Sequence, residues 1–232
     1  PTMINPFRGK SILITGGSGS FGRVFLARAK DFKPRLIRIY SRNEYLLWQV
    51  KQKFGSGIEL IIGDVRDGER LDYAAREIDI IVHAAALKHI DLCEGNPEEA
   101  IKTNATGTKN VVLSAIKNKV QKAVHLSSDK AVYPVSVYGT TKLLAEKIFQ
   151  QANKFGQTSF FSLRYSNVIS SHGGVLEKFI QQTQKGEKLL VYSKAMERFL
   201  LTQNQIIDLL AFSFPLAKGG ETFLVVPAKV KI

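Results

Sequence analysis

The stretch SILITGGSGSFG, residues 11–22, decides the fold of this chain. An apolar run from Ser11 to Thr15 leads into glycines at positions 16, 19 and 22, and an amphipathic stretch from Arg23 to Lys30 follows. This order predicts a strand, a tight turn and a helix whose positive end faces a bound pyrophosphate. The three-residue glycine spacing differs from the G-x-G-x-x-G pattern, so a plain glycine-rich turn stays open as the alternative.

Beyond this unit, extended apolar segments alternate with helical ones. Strands are predicted at 35–40, 58–62, 78–83 and 122–126, and helices at 66–76, 97–117 and 137–153. Such alternation predicts an α/β fold, a doubly wound parallel sheet of the Rossmann type. The loops that bear Asp64, residues 83–86 and Ser127–Ser128 are then expected to converge at the carboxyl ends of the strands and to form a cofactor crevice.

After residue 165 the regular pattern loosens. A strand at 159–165 is followed by a predicted helix at 175–185, short strands at 189–192 and 199–202, and a helix at 203–214. We therefore expect two regions, a dinucleotide-binding domain over 1–165 and a small, partial substrate-binding cap over 166–232.

Composition is typical of a soluble enzyme. With 232 residues, 44% of them hydrophobic, the chain can bury a sizeable core. It contains no apolar run of membrane-spanning length and no signal peptide before the first strand, so we expect a cytoplasmic protein without integral membrane contact. The lone Cys93 has no cysteine partner for a disulfide or a metal site, and no metal is expected.

The net charge of +13 raises the question of nucleic acid as a partner. The lysines and arginines are scattered through the predicted helices and form no single basic block, which argues against a nucleic-acid partner. A polyanionic small substrate, an acidic partner or an anionic membrane surface could still exploit this charge.

The end of the second predicted strand bears on the choice of cofactor. An NAD-selective site usually offers a carboxylate to the adenosine ribose at this position, whereas this chain has Ser41, Arg42 and Asn43. A hydroxyl and a guanidinium suit a 2′-phosphate, so the sequence favours NADP, with Arg42 as the phosphate ligand. NAD, with Arg42 as an ordinary solvated arginine, is the alternative.

Two residue pairs point to redox and elimination chemistry. Tyr138 and Lys142 share one helix face, where an ammonium would stabilise a phenolate that removes a hydroxyl proton. Asp129 and Lys130, just upstream, form a second acid and base pair. Lys130 needs a desolvated or cation-rich setting to lose its proton, and nearby Lys142 could supply it. A capping or turn role for Asp129 and a solvated loop role for Lys130 are the alternatives.

The two long predicted helices, 97–117 and 137–153, carry more apolar residues than one sheet face needs. A helix-to-helix interface in a homo-oligomer, a dimer or higher, would use the excess, although ordinary core packing explains it almost as well.

Seven motifs together resemble one known family. They are TGGSGSFG (15–22), GDVRD (63–67), HAAALKH (83–89), SSDKA (127–131), YGTTK (138–142), RYSNV (164–168) and MERF (196–199). The chain resembles the extended short-chain dehydrogenase/reductases, and within them the nucleotide-sugar 4,6-dehydratases of bacterial polysaccharide synthesis, over nearly its whole length.

This resemblance implies a UDP-N-acetylglucosamine 4,6-dehydratase, a hydro-lyase. An Asp-Lys pair before the tyrosine is typical of the members that invert carbon 5, whereas an Asp-Glu pair is typical of those that retain it. In the implied reaction Tyr138 assists oxidation at carbon 4. Lys130 then takes the carbon 5 proton while Asp129 protonates the departing carbon 6 hydroxyl. The hydride returns to carbon 6, and reprotonation of carbon 5 from the opposite face inverts that centre.

The resemblance also implies a set of site residues. The catalytic residues are Ser128, Asp129, Lys130, Tyr138 and Lys142. The cofactor would contact Gly16, Ser18, Gly19, Ser20, Phe21, Gly22, Ser41, Arg42, Asn43, Asp64, Val65, Ala84, Ala85, Ala86, Lys88, Asn104, Ser127, Tyr138, Lys142, Tyr165 and Asn167. The UDP-activated N-acetylhexosamine would contact Lys88, Ser128, Asp129, Lys130, Tyr138, Asn167, Val175, Lys178 and Arg198.

The chain departs from the family pattern at Ser166, His172 and Glu197, which bears on substrate identity. It also stops short of typical members, so it represents either a short homologue or part of a longer protein. Three interpretations therefore stand: the dehydratase, a UDP-sugar 4-epimerase that shares Tyr138 and Lys142 but does not need the Asp129-Lys130 pair, and a non-catalytic NADP-binding regulatory protein.

Overall fold

The computed structural model describes residues 5–55, 57–169, 175–189, 197–225, 227 and 229–231. Its strands are β1 (Ser11–Thr15), β2 (Leu36–Ser41), β3 (Glu59–Ile62), β4 (Ile80–His83), β5 (Lys122–Leu126), β6 (Ser159–Arg164), β7 (Asn167–Val168), β8 (Glu197–Leu201), β9 (Thr222–Leu224) and β10 (Lys229–Lys231). Seven of them form one parallel sheet in the order β3-β2-β1-β4-β5-β6-β9, and the other three form a small sheet in the order β10-β8-β7.

The helices lie on both faces of the large sheet. They are α1 (Ser20–Ala27), α2 (Ala29–Phe32), α3 (Glu44–Phe54), α4 (Gly68–Ala74), α5 (Ile90–Gly95), α6 (Pro97–Ala100), α7 (Gly107–Lys117), α8 (Val137–Ala152), α9 (Val175–Gln184) and α10 (Gln203–Leu216). A π-helical segment, Ile101–Thr106, joins α6 to α7, and a single 3₁₀ turn covers Asp129–Ala131.

The residues of β1 show why this sheet forms. Successive side chains of a strand point to opposite faces, and parallel strands are buried on both. Ile12 and Ile14 join a core cluster that includes Phe7, whereas Leu13 between them joins the second cluster with Phe149. All five residues of the strand are buried. An uninterrupted apolar run is therefore what this central position requires.

Strand order places the functional crevice. β1 pairs with β2 on one side and with β4 on the other, so the chain reverses its direction of winding at β1. In such sheets the loops at the carboxyl ends of the two middle strands separate and leave a crevice for a ligand. The predicted doubly wound parallel sheet is thus confirmed, with its crevice between β1 and β4.

Two helix predictions differ from the structure. The first helix begins at Ser20, inside the glycine-rich motif, because Gly19 is its N-cap. The segment 97–117 was predicted as one α-helix, but its middle turn, Ile101–Thr106, is π-helical. A π-helical turn shifts the side chains that follow it relative to an α-helix, and such turns occur frequently at functional sites.

The C-terminal region is only partly separate from the large sheet. Residues Ile206, Leu210 and Phe214 of α10 pack in the core cluster of Phe7, and β9 pairs with β6 as the last strand of the sheet. The small sheet contains β7, β8 and β10. Most of the strand predicted at 189–192 lies outside the described residues. The division at 165/166 remains a prediction.

Within the described ranges, no helix combines the length and the apolar character that a membrane crossing needs.

Candidate active site

The glycine-rich turn after β1 packs against the loop that follows β4. Gly16 has φ +66°, and a Cβ there would lie 2.7 Å from the Ala85 Cα. A Cβ on Gly22 would lie 1.9 Å from the Gly17 carbonyl oxygen, so α1 can approach the turn only without a side chain at this position. Both positions require glycine because a side chain would collide with neighbouring backbone atoms. They leave the amino end of α1 beside the crevice, where its free N–H groups suit an anion.

The crevice is lined by residues from the ends of β1, β2, β3 and β4 and from the π-helical segment. Predicted cofactor residues among them are Gly16, Ser41, Arg42, Asp64, Val65, Ala85 and Ala86, and the sequence analysis missed Tyr40, Gly63 and Thr103. The Thr103 hydroxyl is buried and has no hydrogen-bond partner among the described residues, so it is available to a ligand. Its position in a π-helical turn carries no signal in a single sequence.

Ser18, Ser41 and Arg42 are the polar groups at the end of β2. The Ser18 and Ser41 hydroxyl oxygens lie 2.7 Å apart, and Arg42 Nη1 lies 3.7 Å from Asp64 Oδ2. Burial acts to raise the pKa of Asp64, but hydrogen bonds from Arg66 hold it below its ordinary value. The guanidinium and hydroxyl groups expected for a ribose phosphate are therefore together, beside an ionised carboxylate.

Asn43 and Phe21 have structural side-chain roles. The Asn43 side chain accepts a hydrogen bond from Leu46 N and caps α3. The Phe21 ring packs near Phe25 in the core. Any contact of Phe21 with a cofactor would therefore come from its backbone, as would contacts of Gly19 and Gly22.

Asn104 fixes the loop that follows β4. Its side chain accepts a hydrogen bond from Leu87 N at 2.8 Å and donates to the Leu87 carbonyl at 3.0 Å. It also donates to Thr141 on α8. All of these contacts are internal to the protein, so Asn104 holds the loop of Ala84, Ala85 and Ala86 against the helix that carries Tyr138. Lys88 lies exposed in the same loop.

Tyr138 lies in the first turn of α8, which is capped by the Ser136 side chain. Burial raises the pKa of Tyr138 to about 12; a hydrogen bond with Ser128 acts to lower it, and the Asp129 charge acts to raise it. The i,i+4 spacing predicted a lowered pKa for Tyr138 through the ammonium of Lys142. That expectation is wrong for this structure, because burial outweighs the one favourable hydrogen bond.

Lys142 is buried one turn along the same helix. Its Nζ lies 2.7 Å from His125 Nε2 and donates to the Leu126 carbonyl oxygen at 2.6 Å. Burial lowers its pKa to about 7, although Glu146 acts to raise it. His125 was not singled out in the sequence, because a lone histidine in an apolar strand resembles a core residue.

Ser128, Asp129 and Lys130 form one hydrogen-bonded group with Asn167. Asp129 Oδ1 accepts from Ser128 Oγ and from Lys130 Nζ, each at 3.0 Å. Lys130 Nζ also donates to Asn167 Oδ1 at 3.3 Å. The expected proximity of Lys142 to Lys130 is not among the described contacts; the two ammonium groups belong to separate hydrogen-bond groups.

Ser127 and Arg164 meet at a buried carboxylate. Ser127 Oγ donates to Glu146 Oε1, and Arg164 donates to both oxygens of Glu146, with Nε to Oε1 at 2.8 Å. Glu146 is 1% exposed. Ser127 is thus engaged below the site, and Arg164 is a structural ion-pair partner of Glu146.

The remaining predicted residues belong to the segments after β6. Burial raises the pKa of Tyr165, and the nearby Tyr138 adds to this effect. Arg198 is exposed on β8 and donates to the Glu197 carbonyl. Val175 and Lys178 belong to α9, but their side chains lie outside the described residues, as does His172. Residues 16–22, 41–42, 64–65, 84–86 and 127–142 are thus gathered at one edge of the sheet.

Comparison with known proteins identifies a matching family and several similar sequences. A family described as polysaccharide biosynthesis protein matches residues 12–232. An uncharacterized membrane protein, MJ1061, of Methanocaldococcus jannaschii is 41% identical over 98% of this chain and 70% of its own length. An inverting UDP-N-acetylglucosamine 4,6-dehydratase of Campylobacter jejuni is 42% identical over 94% of this chain and 67% of its own. A UDP-glucose 4-epimerase of Rickettsia akari is 39% identical over 94% and 66%.

Two solved structures are similar to this chain. Pen from Bacillus thuringiensis has a TM-score of 0.92 and 38% identity, and covers 97% of this chain and 73% of its own. DesIV of Streptomyces venezuelae, a dTDP-glucose 4,6-dehydratase crystallised with NAD, has a TM-score of 0.85 over 95% and 77%, with 19% identity. The second likeness concerns the fold alone.

Proposed function

Because this chain belongs to the family of polysaccharide biosynthesis proteins, we propose that it is a nucleotide-sugar 4,6-dehydratase that acts on UDP-N-acetylglucosamine and inverts carbon 5. One observation carries the proposal. Lys130, Asp129 and Ser128 share hydrogen bonds through a single oxygen, Asp129 Oδ1, next to the half-buried Tyr138. An oxidoreductase site has no need of a second acid and base pair at this position, whereas an elimination requires one.

Oxidation at carbon 4 is assigned to Tyr138 and its neighbours. A bound nicotinamide cofactor would supply the hydride acceptor and a positive charge close to the tyrosine. The phenolate of Tyr138 would then take the hydroxyl proton, with Ser128 as the hydrogen-bond donor to the oxygen that becomes a ketone.

Elimination is assigned to Asp129 and Lys130. The ketone makes the carbon 5 hydrogen acidic, so a neutral amine can remove it while a carboxylic acid protonates the carbon 6 hydroxyl. Transfer of one proton across the 3.0 Å contact from Lys130 Nζ to Asp129 Oδ1 generates both species at once. This contact therefore gives Lys130 a route to the neutral form that the elimination requires.

The proton balance supports a role for Ser128 that an epimerase would lack. A dehydratase leaves a ketone at carbon 4, so the proton collected by Tyr138 does not return to the sugar and must leave in every turnover. The carboxylic acid of Asp129 has meanwhile given its proton to the departing water. Ser128 Oγ donates to Asp129 Oδ1, so it can accept a proton from Tyr138 while it passes its own to Asp129.

For the cofactor we propose NADP. Ser41 and Arg42 bring a hydroxyl and a guanidinium to the ribose end of the crevice, a donor set that suits a phosphate, and the buried Ser18 hydroxyl lies 2.7 Å from that of Ser41. NAD is the alternative, since the ionised Asp64 lies beside Arg42 and could bind unesterified hydroxyls.

We further propose a cytoplasmic homo-oligomer. Ile101, Leu113 and Leu144 are each about half exposed on the long helices 97–117 and 137–152, where apolar residues suit a helix-to-helix interface. Sedimentation of the full-length protein tests this assignment, and a monomer at micromolar concentration would overturn it.

The second candidate, UDP-sugar 4-epimerase, is favoured by the identity to the Rickettsia enzyme. One assay separates the two. The full-length protein is incubated with UDP-N-acetylglucosamine and NADP in deuterated water, and the product is analysed by mass and stereochemistry. Loss of water with deuterium at an inverted carbon 5 is expected. An isomer of unchanged composition would establish the epimerase, and water loss with retention would overturn the inverting assignment.

A further inference from the structure

A row of buried polar side chains crosses four strands behind the candidate active site. Thr15 of β1 is in register with His83 of β4, which is in register with His125 of β5, and His125 is in register with Ser162 of β6. All four residues are at most 1% exposed. Buried polar groups destabilise a fold unless they are hydrogen-bonded, so each member of the row calls for an explanation.

His83 is explained by its neighbours. Its Nδ1 lies 2.7 Å from the Thr15 hydroxyl, and its Nε2 lies 2.9 Å from the Thr108 hydroxyl. Thr108 donates its own proton to the Asn104 carbonyl, so it can only accept from His83, which fixes the proton on Nε2. Burial lowers the pKa of His83 to about 3, and the positive charge of Lys142 adds to this effect. His83 is a neutral structural histidine.

His125 is not explained in this way. Its Nε2 contacts Lys142 Nζ at 2.7 Å, but its Nδ1 has no hydrogen-bond partner among the described residues, and neither has the adjacent Ser162 Oγ. Burial, and then the charge of Lys142, hold the pKa of His125 well below its ordinary value. A buried histidine with one unsatisfied nitrogen destabilises the fold, so its contact with Lys142 is the feature to explain.

The geometry of an ammonium supplies the explanation. Lys142 Nζ has three N–H groups in its charged form. The Leu126 carbonyl accepts one of them and His125 Nε2 accepts a second. Two fixed acceptors determine the direction of the third N–H, which has no acceptor among the described residues.

We propose that His125 is a positioning residue for Lys142, which holds the ammonium by its Nε2 and aims the remaining N–H at the reacting groups. This inference rests on the proposed function and on the sequence prediction that the ammonium of Lys142 supports the phenolate of Tyr138. His125 itself touches neither substrate nor cofactor in this assignment.

The charged and titratable groups around the pair come from three elements. Glu146 lies one turn further along α8 and is paired with Arg164 of β6, and His83 lies beside His125 on β4 at a ring separation of 5.7 Å. Of these, Glu146 favours the ammonium, and neutral His83 adds no charge. An acceptor on the charged form favours that form. Removal of His125 Nε2 is therefore expected to release the proton of Lys142 at lower pH.

Three variants separate the acceptor from the bulk of the side chain. His125→Gln places an amide oxygen close to the position of Nε2 and keeps an acceptor that does not titrate. His125→Leu fills similar space without an acceptor, and His125→Met serves the same purpose if the leucine variant does not fold. Ser162→Ala is the control, since it removes the neighbouring hydroxyl that has no described partner.

The first measurement needs no turnover. Lysine side chains are labelled with ¹³C at Cε, and the Lys142 resonance of the NADP-bound protein is identified by its absence in Lys142→Met. We expect its titration midpoint to fall by about one pH unit, a tenfold change in proton affinity, in His125→Leu. His125→Gln and Ser162→Ala should stay close to the wild type. Equal midpoints in the wild type and His125→Leu, or an equal fall in Ser162→Ala, would overturn the proposal.

The second measurement follows the dehydration rate against pH. The alkaline limb of kcat should move to lower pH in His125→Leu, with kcat down about tenfold at its optimum and KM little changed, and His125→Gln should recover most of the loss. A loss confined to KM, or no recovery with glutamine, would contradict a positioning role. A wild type that forms no dehydrated sugar would overturn the proposed function instead, while the lysine titration would still decide the role of His125.

Discussion

Lys130 Nζ and Asp129 Oδ1 lie 3.0 Å apart, so the proposed base and the proposed acid of the elimination are joined by one hydrogen bond. This relationship allows oxidation and elimination to be separated by mutation. In Lys130→Arg the charge and the ion pair can be kept, but a guanidinium does not deprotonate in a protein. We expect this variant to form product at least ~100-fold more slowly, because general acid and base groups typically contribute that much.

Cofactor reduction should survive in the same variant. Tyr138, Ser128 and Lys142 are untouched, so absorbance of the reduced nicotinamide is expected to accumulate in a single turnover with UDP-N-acetylglucosamine. Asp129→Asn should behave alike, because an amide cannot protonate the carbon 6 hydroxyl. Normal dehydration by Lys130→Arg would refute the assignment of the base.

Loss of the Ser128 hydroxyl is expected to slow later turnovers more than the first. Its hydroxyl hydrogen-bonds Asp129 and Tyr138, and only a reaction that leaves a ketone needs a proton to pass between them. In Ser128→Ala, rapid-quench analysis should reveal a first turnover that is faster than the steady state, whereas Ser128→Thr, which keeps the hydroxyl, should lack this burst. If alanine slows both phases by the same factor, the hydroxyl serves only to bind the substrate.

The parallel sheet could be predicted from the sequence because the patterns that indicate its strands and turns are local. Residues 11–15 have the apolar pattern of a buried strand, and the glycines at 16, 19 and 22 mark the turn that follows it. At two of these positions, 16 and 22, a Cβ atom would lie closer than 3 Å to backbone atoms, so only glycine fits. The order of strands and helices then determines a parallel sheet with few alternatives. Local pattern and global fold agree throughout this half of the chain.

The residues that lie behind the site and contact its predicted side chains could not be identified from the sequence. Glu146 and His125 look like an exposed helix residue and a core residue in the sequence. Their roles depend on which strand neighbours which, since β5 brings His125 under Lys142 and β6 brings Arg164 to Glu146. The raised pKa of Tyr138 was missed for the same reason, because burial is a property of the whole fold and the i,i+4 spacing is a property of one helix.

Arg42 is expected to determine cofactor preference. Its guanidinium lies 3.7 Å from Asp64 and beside Ser41 at the ribose end of the crevice. In Arg42→Ala, isothermal titration should show affinity for NADP reduced by ~10- to 100-fold, which corresponds to one charge-assisted pair of about 1.5–3 kcal/mol, with affinity for NAD little changed. Arg42→Lys should fall between the two, since it keeps the charge without the bidentate geometry.

A matched control for that experiment is Arg76→Ala. Arg76 lies on the surface over the Tyr73 ring and outside the crevice lining, yet its removal changes the net charge by the same amount. If both variants weaken NADP equally, the effect is long-range electrostatics. An equal loss of NAD and NADP affinity in Arg42→Ala would indicate an adenosine contact and would remove the basis for NADP preference.

Lys142 should destabilise the folded protein at neutral and acidic pH. Burial lowers its pKa from 10.5 to about 7. Below pH 7 the folded and the unfolded states both hold the proton, and the folded state carries the full desolvation penalty of the ammonium. Between pH 7 and 10.5 the folded state releases the proton while the unfolded state keeps it, so this penalty shrinks as the pH rises. Lys142→Met should therefore raise the free energy of unfolding by up to roughly 5 kcal/mol below pH 7, with the gain diminishing towards pH 10.

Urea denaturation of both proteins from pH 5.5 to 9.5 measures this gain directly. Lys147→Met is the control, because Lys147 is exposed on the same helix and its ammonium stays in water. It is expected to change stability by less than about 0.5 kcal/mol at every pH. The methionine variant at 142 should be inactive as well as more stable, as expected where a buried charge is kept for catalysis. A gain that does not depend on pH would mean that packing, and not the lysine charge, limits stability at this site.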